Sequence, residues 1–264
     1  MSESLSFGTR LSAWRRRRGL SQLDLAGVAD SSQRHVSFLE SGRTAPSREM
    51  VLRLAQALDL PLRQQNAMLL AAGFAPMWRE SDLAAPELTQ VQAALAFMLA
   101  QQEPFPAVVV DRRWNILDAN LGAAKLVGFL AELGDPAPPE GRPNLADALM
   151  APGGMRHALT NWAEVAAYFL RGVQADALAD GTAETQALLA RISAYPGAPA
   201  LAHGPAADEA HGPVLTMVFE KAGTRLALFT AIATLGTPQD VTLQEIRIES
   251  FFPADEPTAA WFRA

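Results

Sequence analysis

The sequence predicts two domains: an all-α N-terminal domain of five short helices, then a larger α+β domain built on a five-stranded antiparallel sheet. Three observations carry this expectation. The chain has 264 residues, more than one hydrophobic core normally organises. Its charge is split: residues 1–80 hold 11 Arg and no Lys against 7 acidic residues, whereas residues 81–264 hold 11 basic and 21 acidic. Apolar residues recur with helical spacing up to Gly73, and the period shortens to alternation near 107–118 and 214–251.

Taken in order, Phe7, Leu11 and Trp14 fall at i, i+4 and i+7 on one helical stripe, and Arg15, Arg16, Arg17 and Arg18 follow where a helix dipole favours cations. Gly19 ends that helix. Ser21 caps a second, with Asp24 as the acidic member of a capping box, and Leu25, Ala26 and Ala29 form its inner face. Asp30-Ser31 is a turn in which Asp30 tolerates a left-handed backbone, and Ser32 caps a third helix. In that helix Val36 and Leu39 point inward, while Gln33, Arg34, Ser37 and Phe38 point outward. Pro46-Ser47 opens a fourth helix carrying Val51, Leu54, Ala55 and Leu58, and Pro61 opens a fifth that ends at Gly73. Domain one is therefore placed at 1–75 and a linker at 76–86, marked by Pro76, Trp78 and Pro86.

The segments Ser21-Gln22-Leu23-Asp24-Leu25-Ala26, Ser32-Gln33-Arg34-His35-Val36, Leu39-Glu40-Ser41-Gly42-Arg43 and Leu54-Ala55-Gln56-Ala57-Leu58 resemble the lambda-repressor-like (XRE) helix-turn-helix family. The resemblance implies a third helix lying in the major groove of double-stranded operator DNA. Gln33 and Arg34 then meet adenine and guanine edges, Phe38 a thymine methyl, and Ser37 lies beside them. Gln22, Ser32, Arg43 and Thr44 match positions that hold phosphates and fix register. The bland alternative for the arginines alone is a solvated basic face.

Domain two is placed at 87–264. A helix from Pro86 to about Gln102 presents Leu88, Val91, Leu95, Met98 and Leu99, a stripe for its own domain or for a second subunit. A β-hairpin is expected over 107–111 and 114–118, helices over 144–150, 157–174 and 184–194, and three strands over 214–219, 224–235 and 241–251. The run from Leu226 to Ala233 reads as a central strand covered on both faces, and a phase change near Gln244-Glu245 reads as a bulge. Pro- and Gly-rich loops are expected over 134–143 and 195–213.

Two strands, several helices and three strands is the order of a PAS-like sensor. Val108-Val109-Val110-Asp111-Arg112-Arg113-Trp114, Asn115-Ile116-Leu117-Asp118-Ala119-Asn120 and Asn161-Trp162-Ala163-Glu164-Val165 resemble the MmyB-like ligand-binding domain. That resemblance implies a small apolar or fatty-acyl effector held between sheet and helices, walled by Leu117, Met150, Trp162, Phe169, Phe219 and Phe229, with Asn120 and Thr230 as polar anchors. Trp162, Ala166, Phe169 and Val173 also fall at plain core spacing, so a ligand-free oligomerisation or partner scaffold remains the alternative.

The absence of cysteine excludes thiolate metal sites, disulfides and cysteine nucleophiles. No phosphate-binding Gly loop, metalloprotease helix or nucleophile elbow is present, and His203 and His211 form too sparse a pair for a metal. The expectation is a non-enzymatic, cytoplasmic, homodimeric DNA-binding regulator, without a metal or membrane segment.

Overall fold

The computed structural model describes residues 6–131, 143–198 and 213–264, so most of the expected Pro-rich loop, together with His203 and His211, lies outside the described residues. The chain divides into two compact units: Met1–Ser81 with Thr237–Gln244, and Asp82–Gly236 with Glu245–Ala264.

The first unit contains α1 (Phe7–Arg17), α2 (Gln22–Val28), α3 (Gln33–Glu40), α4 (Arg48–Ala57) and α5 (Leu62–Ala71). Serine hydroxyls cap the first four. Ser21 and Asp24 form the reciprocal box, with Ser21 N donating to Asp24 Oδ2 at 2.8 Å and Asp24 N to Ser21 Oγ at 3.1 Å. Asp30 takes φ +47° in the turn before α3. Leu11, Leu25, Val36, Leu39, Val51, Leu54 and Met68 close the core at 0–1% exposure, which is where the helical period put most of them.

α1 crosses α3 at Gly8, where a methyl would stand 2.6 Å from the Leu39 carbonyl oxygen and also against that of Glu40. Only a residue without Cβ permits this approach.

The last piece of the first unit comes from late in the chain. The expected strand over 241–251 with a bulge is corrected here: Val241–Glu245 is a short helix, α11, and the strand begins only at Arg247. Asp240 causes the difference, because its Oδ1 accepts from Thr242 N (2.9 Å) and Leu243 N (3.4 Å) and so bends the chain into a helical turn. The segment is bound within the unit by Val241 N to Arg79 O (2.8 Å), Thr242 Oγ1 to Ser81 O (2.7 Å) and Ser81 N to Asp240 Oδ2 (3.1 Å). Pro61 offers α5 no side-chain cap; Gln244 Oε1 accepts from Leu62 N at 2.7 Å instead.

The second unit holds α6 (Thr89–Gln101), β1 (Ala107–Val110), β2 (Ile116–Ala119), α7 (Leu121–Leu130), α8 (Leu145–Met150), α9 (Trp162–Asp180), α10 (Ala183–Ser193), β3 (Met217–Lys221), β4 (Thr224–Thr234), β5 (Arg247–Pro253) and α12 (Glu256–Arg263). The sheet is antiparallel, in the order β2-β1-β5-β4-β3. α7 to α10 bury Leu126, Met150, Ala166, Val173 and Ile192 against Val108, Val110, Phe219, Leu228 and Phe251 of one sheet face.

The helix expected over 157–174 starts later, at Trp162, and runs on to Asp180, after a 3-10 turn at Met155–Ala158. The reading of 226–233 as covered throughout is also corrected. Leu226, Ala227 and Leu228 are buried, but Ala231, Ile232 and Ala233, on the half of β4 that β5 alone pairs, meet solvent.

Replacing a helical glycine by alanine usually stabilises, by about 0.5–1 kcal/mol. Gly8→Ala is expected to do the opposite, by about 1–3 kcal/mol, because two backbone carbonyls must move. Gly172→Ala on α9, where the described residues leave open space, should give the ordinary gain. Urea midpoints of the two variants against the parent measure the contrast.

Candidate DNA-reading face and effector site

α3 presents its first turn outward. Ser32 Oγ accepts from His35 N at 3.1 Å, Gln33 and Arg34 are exposed, Ser37 and Phe38 are half-buried, and Val36 and Leu39 hold the inner side. Arg43 and Thr44 are exposed just beyond the helix end. The guanidinium carbons of Arg34 and Arg43 lie 5.2 and 5.6 Å from the centre of the Phe38 ring. Three of the expected contact residues thus share one cluster, in which the ring attracts and orients two cations.

The orientation of α3 is held by a part-buried ion pair. Arg15 reaches Glu40 with Nε to Oε1 at 2.6 Å and Nη2 to Oε2 at 3.0 Å, while Nη1 donates to Leu20 O at 2.8 Å. Gln22 Nε2 donates to Glu40 Oε2 at 2.8 Å, so this amide, which family resemblance assigns to phosphate, is also tied to α3. Burial pushes the Glu40 carboxyl up, but hydrogen bonds from Arg15 and Gln22 and the charges of Arg15 and Arg16 outweigh it and hold it below the usual range. Sequence reading took Arg15 for a dipole-side cation; its partner lies 25 residues away, beyond any local pattern. Arg18 likewise caps α4, donating to Leu58 O at 2.9 Å and Asp59 O at 2.7 Å.

In the second unit the residues expected around an effector fall in different places. Met150 and Phe219 are buried in the core. Trp162 packs on its edge, with Nε1 donating to Leu149 O at 3.0 Å and the Arg156 guanidinium 3.4 Å from its ring centre. Phe169 meets Trp114 edge to face at 4.8 Å. Leu117 lies next to the register shift between β1 and β2, and Ile116 is the β2 residue that packs on the core. Phe229 stacks with its cross-strand partner Phe252 at 5.5 Å, on the face opposite Phe251.

Asn120 is fully committed within the fold. Its Oδ1 accepts from Ala107 N and Ala123 N, both at 2.9 Å, and its Nδ2 donates to Leu99 O and Phe105 O at 3.2 and 2.8 Å. Thr230 shares a sheet face with Glu249, its diagonal neighbour on β5 and a residue the sequence analysis did not single out.

Glu249 is 9% exposed and stands in β5 between Val108 and Ile232 in the register, on the face that carries Phe251. Among the described residues its Oε2 has no hydrogen-bond partner. Burial pushes its carboxyl up to about 7, against the Thr230 hydrogen bond and the Arg247 charge. One signal was legible: Glu249 and Phe251 have the same parity in Arg247-Ile248-Glu249-Ser250-Phe251, so a strand that buries one faces the other to the same side.

Among the described residues, no helix is long and apolar enough to cross a membrane, and no group of three His, Asp or Glu is placed to hold a metal. A capped helix-turn-helix followed by an α-covered antiparallel sheet defines a class, the DNA-binding regulator with an attached PAS-like domain. Comparison makes this specific: residues 91–264 match the family described as "MmyB-like transcription regulator ligand binding domain", and residues 11–65 match "Helix-turn-helix". The chain belongs to the MmyB-like transcription regulator family. None of the curated proteins matches it. A solved structure titled "Structure of an RNA-binding Light-Oxygen-Voltage Receptor" aligns at 11% identity with a TM-score of 0.29, covering 97% of this chain and 60% of its own.

Arg34→Ala is expected to weaken binding to the specific site by about 1–3 kcal/mol and relax one base position, since a guanidinium on a base edge is lost. Arg43→Ala should weaken specific and random DNA alike and lower the salt slope by about one. Fluorescence anisotropy on both DNAs over a salt series separates the two behaviours; equal losses for both variants would place α3 elsewhere.

Proposed function

We propose that this protein is a cytoplasmic, sequence-specific, homodimeric transcription regulator whose DNA affinity responds to a small, largely apolar effector, with fatty-acyl chains the first class to test. DNA reading falls to Gln33, Arg34, Ser37 and Phe38, and register to Gln22, Ser32, Arg43 and Thr44. The effector is assigned to the side of the sheet that faces α7–α10, near Met150, Trp162, Phe169, Phe219 and Thr230, and Asn120 serves by holding the β1 and α7 ends around it; Phe229, on the opposite face, and Leu117, at the register shift where Ile116 meets the core, are left out of the expected wall.

The observation that carries the response is the path of the chain. β4 and β5 are central strands of the PAS-like sheet, and the segment joining them, Thr237–Gln244, is folded into the unit of the helix-turn-helix, where Gln244 caps α5. A ligand that shifts the ends of β4 and β5 acts, through the chain itself, on the segment that carries the α5 cap. Coupling energies of about 1–3 kcal/mol are ordinary for such linkage and correspond to affinity changes of about 5- to 150-fold.

The scaffold reading keeps one supporting observation, the exposed apolar residues Ala231, Ile232 and Ala233 on β4. A decisive experiment treats both readings together. Solvent extraction and mass spectrometry of purified protein should yield a stoichiometric small molecule. Its removal should change affinity for the protein's own upstream DNA at least about fivefold, and its return should restore it. In Gln244→Ala the extract should still bind while the change in DNA affinity shrinks. A protein that yields nothing stoichiometric, and whose melting temperature and DNA affinity ignore added extract, is a scaffold.

A further inference from the structure

We propose that the Glu249 carboxyl and the Thr230 hydroxyl form a head-group subsite of the effector site, and that it takes a protonated amine at the end of a largely apolar ligand. This rests on the effector reading above, retains its apolar body and assigns its polar end.

The position is built for a buried polar contact. Glu249 lies on a central strand, on the core face, in a row that runs from Val108 (5% exposed) through Glu249 to Ile232 (51% exposed). The carboxyl is thus one strand spacing, about 4.8 Å, from a side chain that meets solvent; Oε2 itself is fully covered, so a ligand reaches it only when the Ile232 end of that row moves aside. Thr230, two residues along β4 from Ile232, is the diagonal neighbour of Glu249 on the same face, and Oε2 lacks a partner among the described residues. Leaving a buried acceptor unpaired is costly, and a carboxylate in such a place is stabilised chiefly by a cation that also donates hydrogen bonds. An ammonium has three donors, enough for Oε2 and for the free lone pair of Thr230 Oγ1.

The charged groups nearby favour a cation over an anion. Arg247 shares the β5 face with Glu249, but its Nη1 is 2.6 Å from Asp176 Oδ2 on α9, so its charge is already paired. Val108 on β1 and Ile232 on β4, the cross-strand neighbours, carry no charge. A ligand carboxylate would set a second negative charge beside Glu249, or require a proton to be shared.

The test uses the full chain, freed of copurified lipid, and three probes with the same eight-carbon chain: octylammonium, octanoate and octanol. By titration calorimetry at about pH 8, octylammonium should bind roughly tenfold or more tighter than either of the others. Glu249→Gln should reduce that preference to about twofold or less, since a neutral amide cannot pair a charge. In the parent protein the preference should also fade towards about pH 5.5, as Glu249 takes a proton, while the variant shows no such trend.

A second reading needs no ligand. Glu249 titrates higher in the folded state than unfolded, so the stability it contributes is complete below its ordinary range and is lost as pH rises through about 7. The unliganded parent should accordingly lose melting temperature between about pH 5 and pH 8, and Glu249→Gln should lose less. If the variant fails to fold, the parent's pH series decides alone. Equal or tighter binding of octanoate or octanol, or a preference for amine that survives Glu249→Gln, overturns the subsite and leaves the effector site standing; no binding of any probe removes both.

Discussion

The DNA-reading unit depends on one bidentate ion pair, Arg15 with Glu40. It joins the end of α1 to the end of α3, and through Gln22 it also engages the start of α2. Removing one partner of this part-buried pair leaves the other charge partly out of water and unpaired, which costs more than breaking an exposed pair. The two elements of the helix-turn-helix are therefore held at a fixed angle by charge as well as by Leu25, Val36 and Leu39, and the polar first turn of α3 is left facing out. Gly8 belongs to the same constraint, because the close approach it permits brings α1 near enough for Arg15 to reach Glu40.

The second unit solves a different problem. Its sheet is covered on one face by α7 to α10, and most of that face is apolar, yet the middle strand carries a carboxyl there. A buried carboxyl whose Oε2 lacks a partner among the described residues, beside an exposed stretch of β4, fits a binding surface better than a core. β4 and β5 then have two roles: they frame this carboxyl, and they feed the segment that caps α5.

What could be read in the sequence was local. Ser21 with Asp24, Ser32 before α3, and Asp30 in its left-handed turn are all decided within four residues, and the structure bears each of them out. The alternating strands and the stripe of Leu11, Leu25 and Val36 were legible for the same reason, since period follows backbone geometry. Nothing local announced that Arg15 would find Glu40, that Asp240 would turn an alternating run into a helix, or that the far half of β4 would meet solvent. The candidate DNA face was legible because it lies on one short helix. The surroundings of Glu249 were not, because they are assembled from β1, β4 and β5.

The central claim is that the outer face of α3 enters the major groove. Guanine methylation interference on the protein's specific site tests it most directly, since dimethyl sulfate modifies guanine N7 in the major groove and adenine N3 in the minor groove. The account predicts that N7 methylation at a guanine in each half-site abolishes binding, with half-sites about one helical turn apart. Interference confined to adenine N3, or none at any guanine of the bound site, would contradict it.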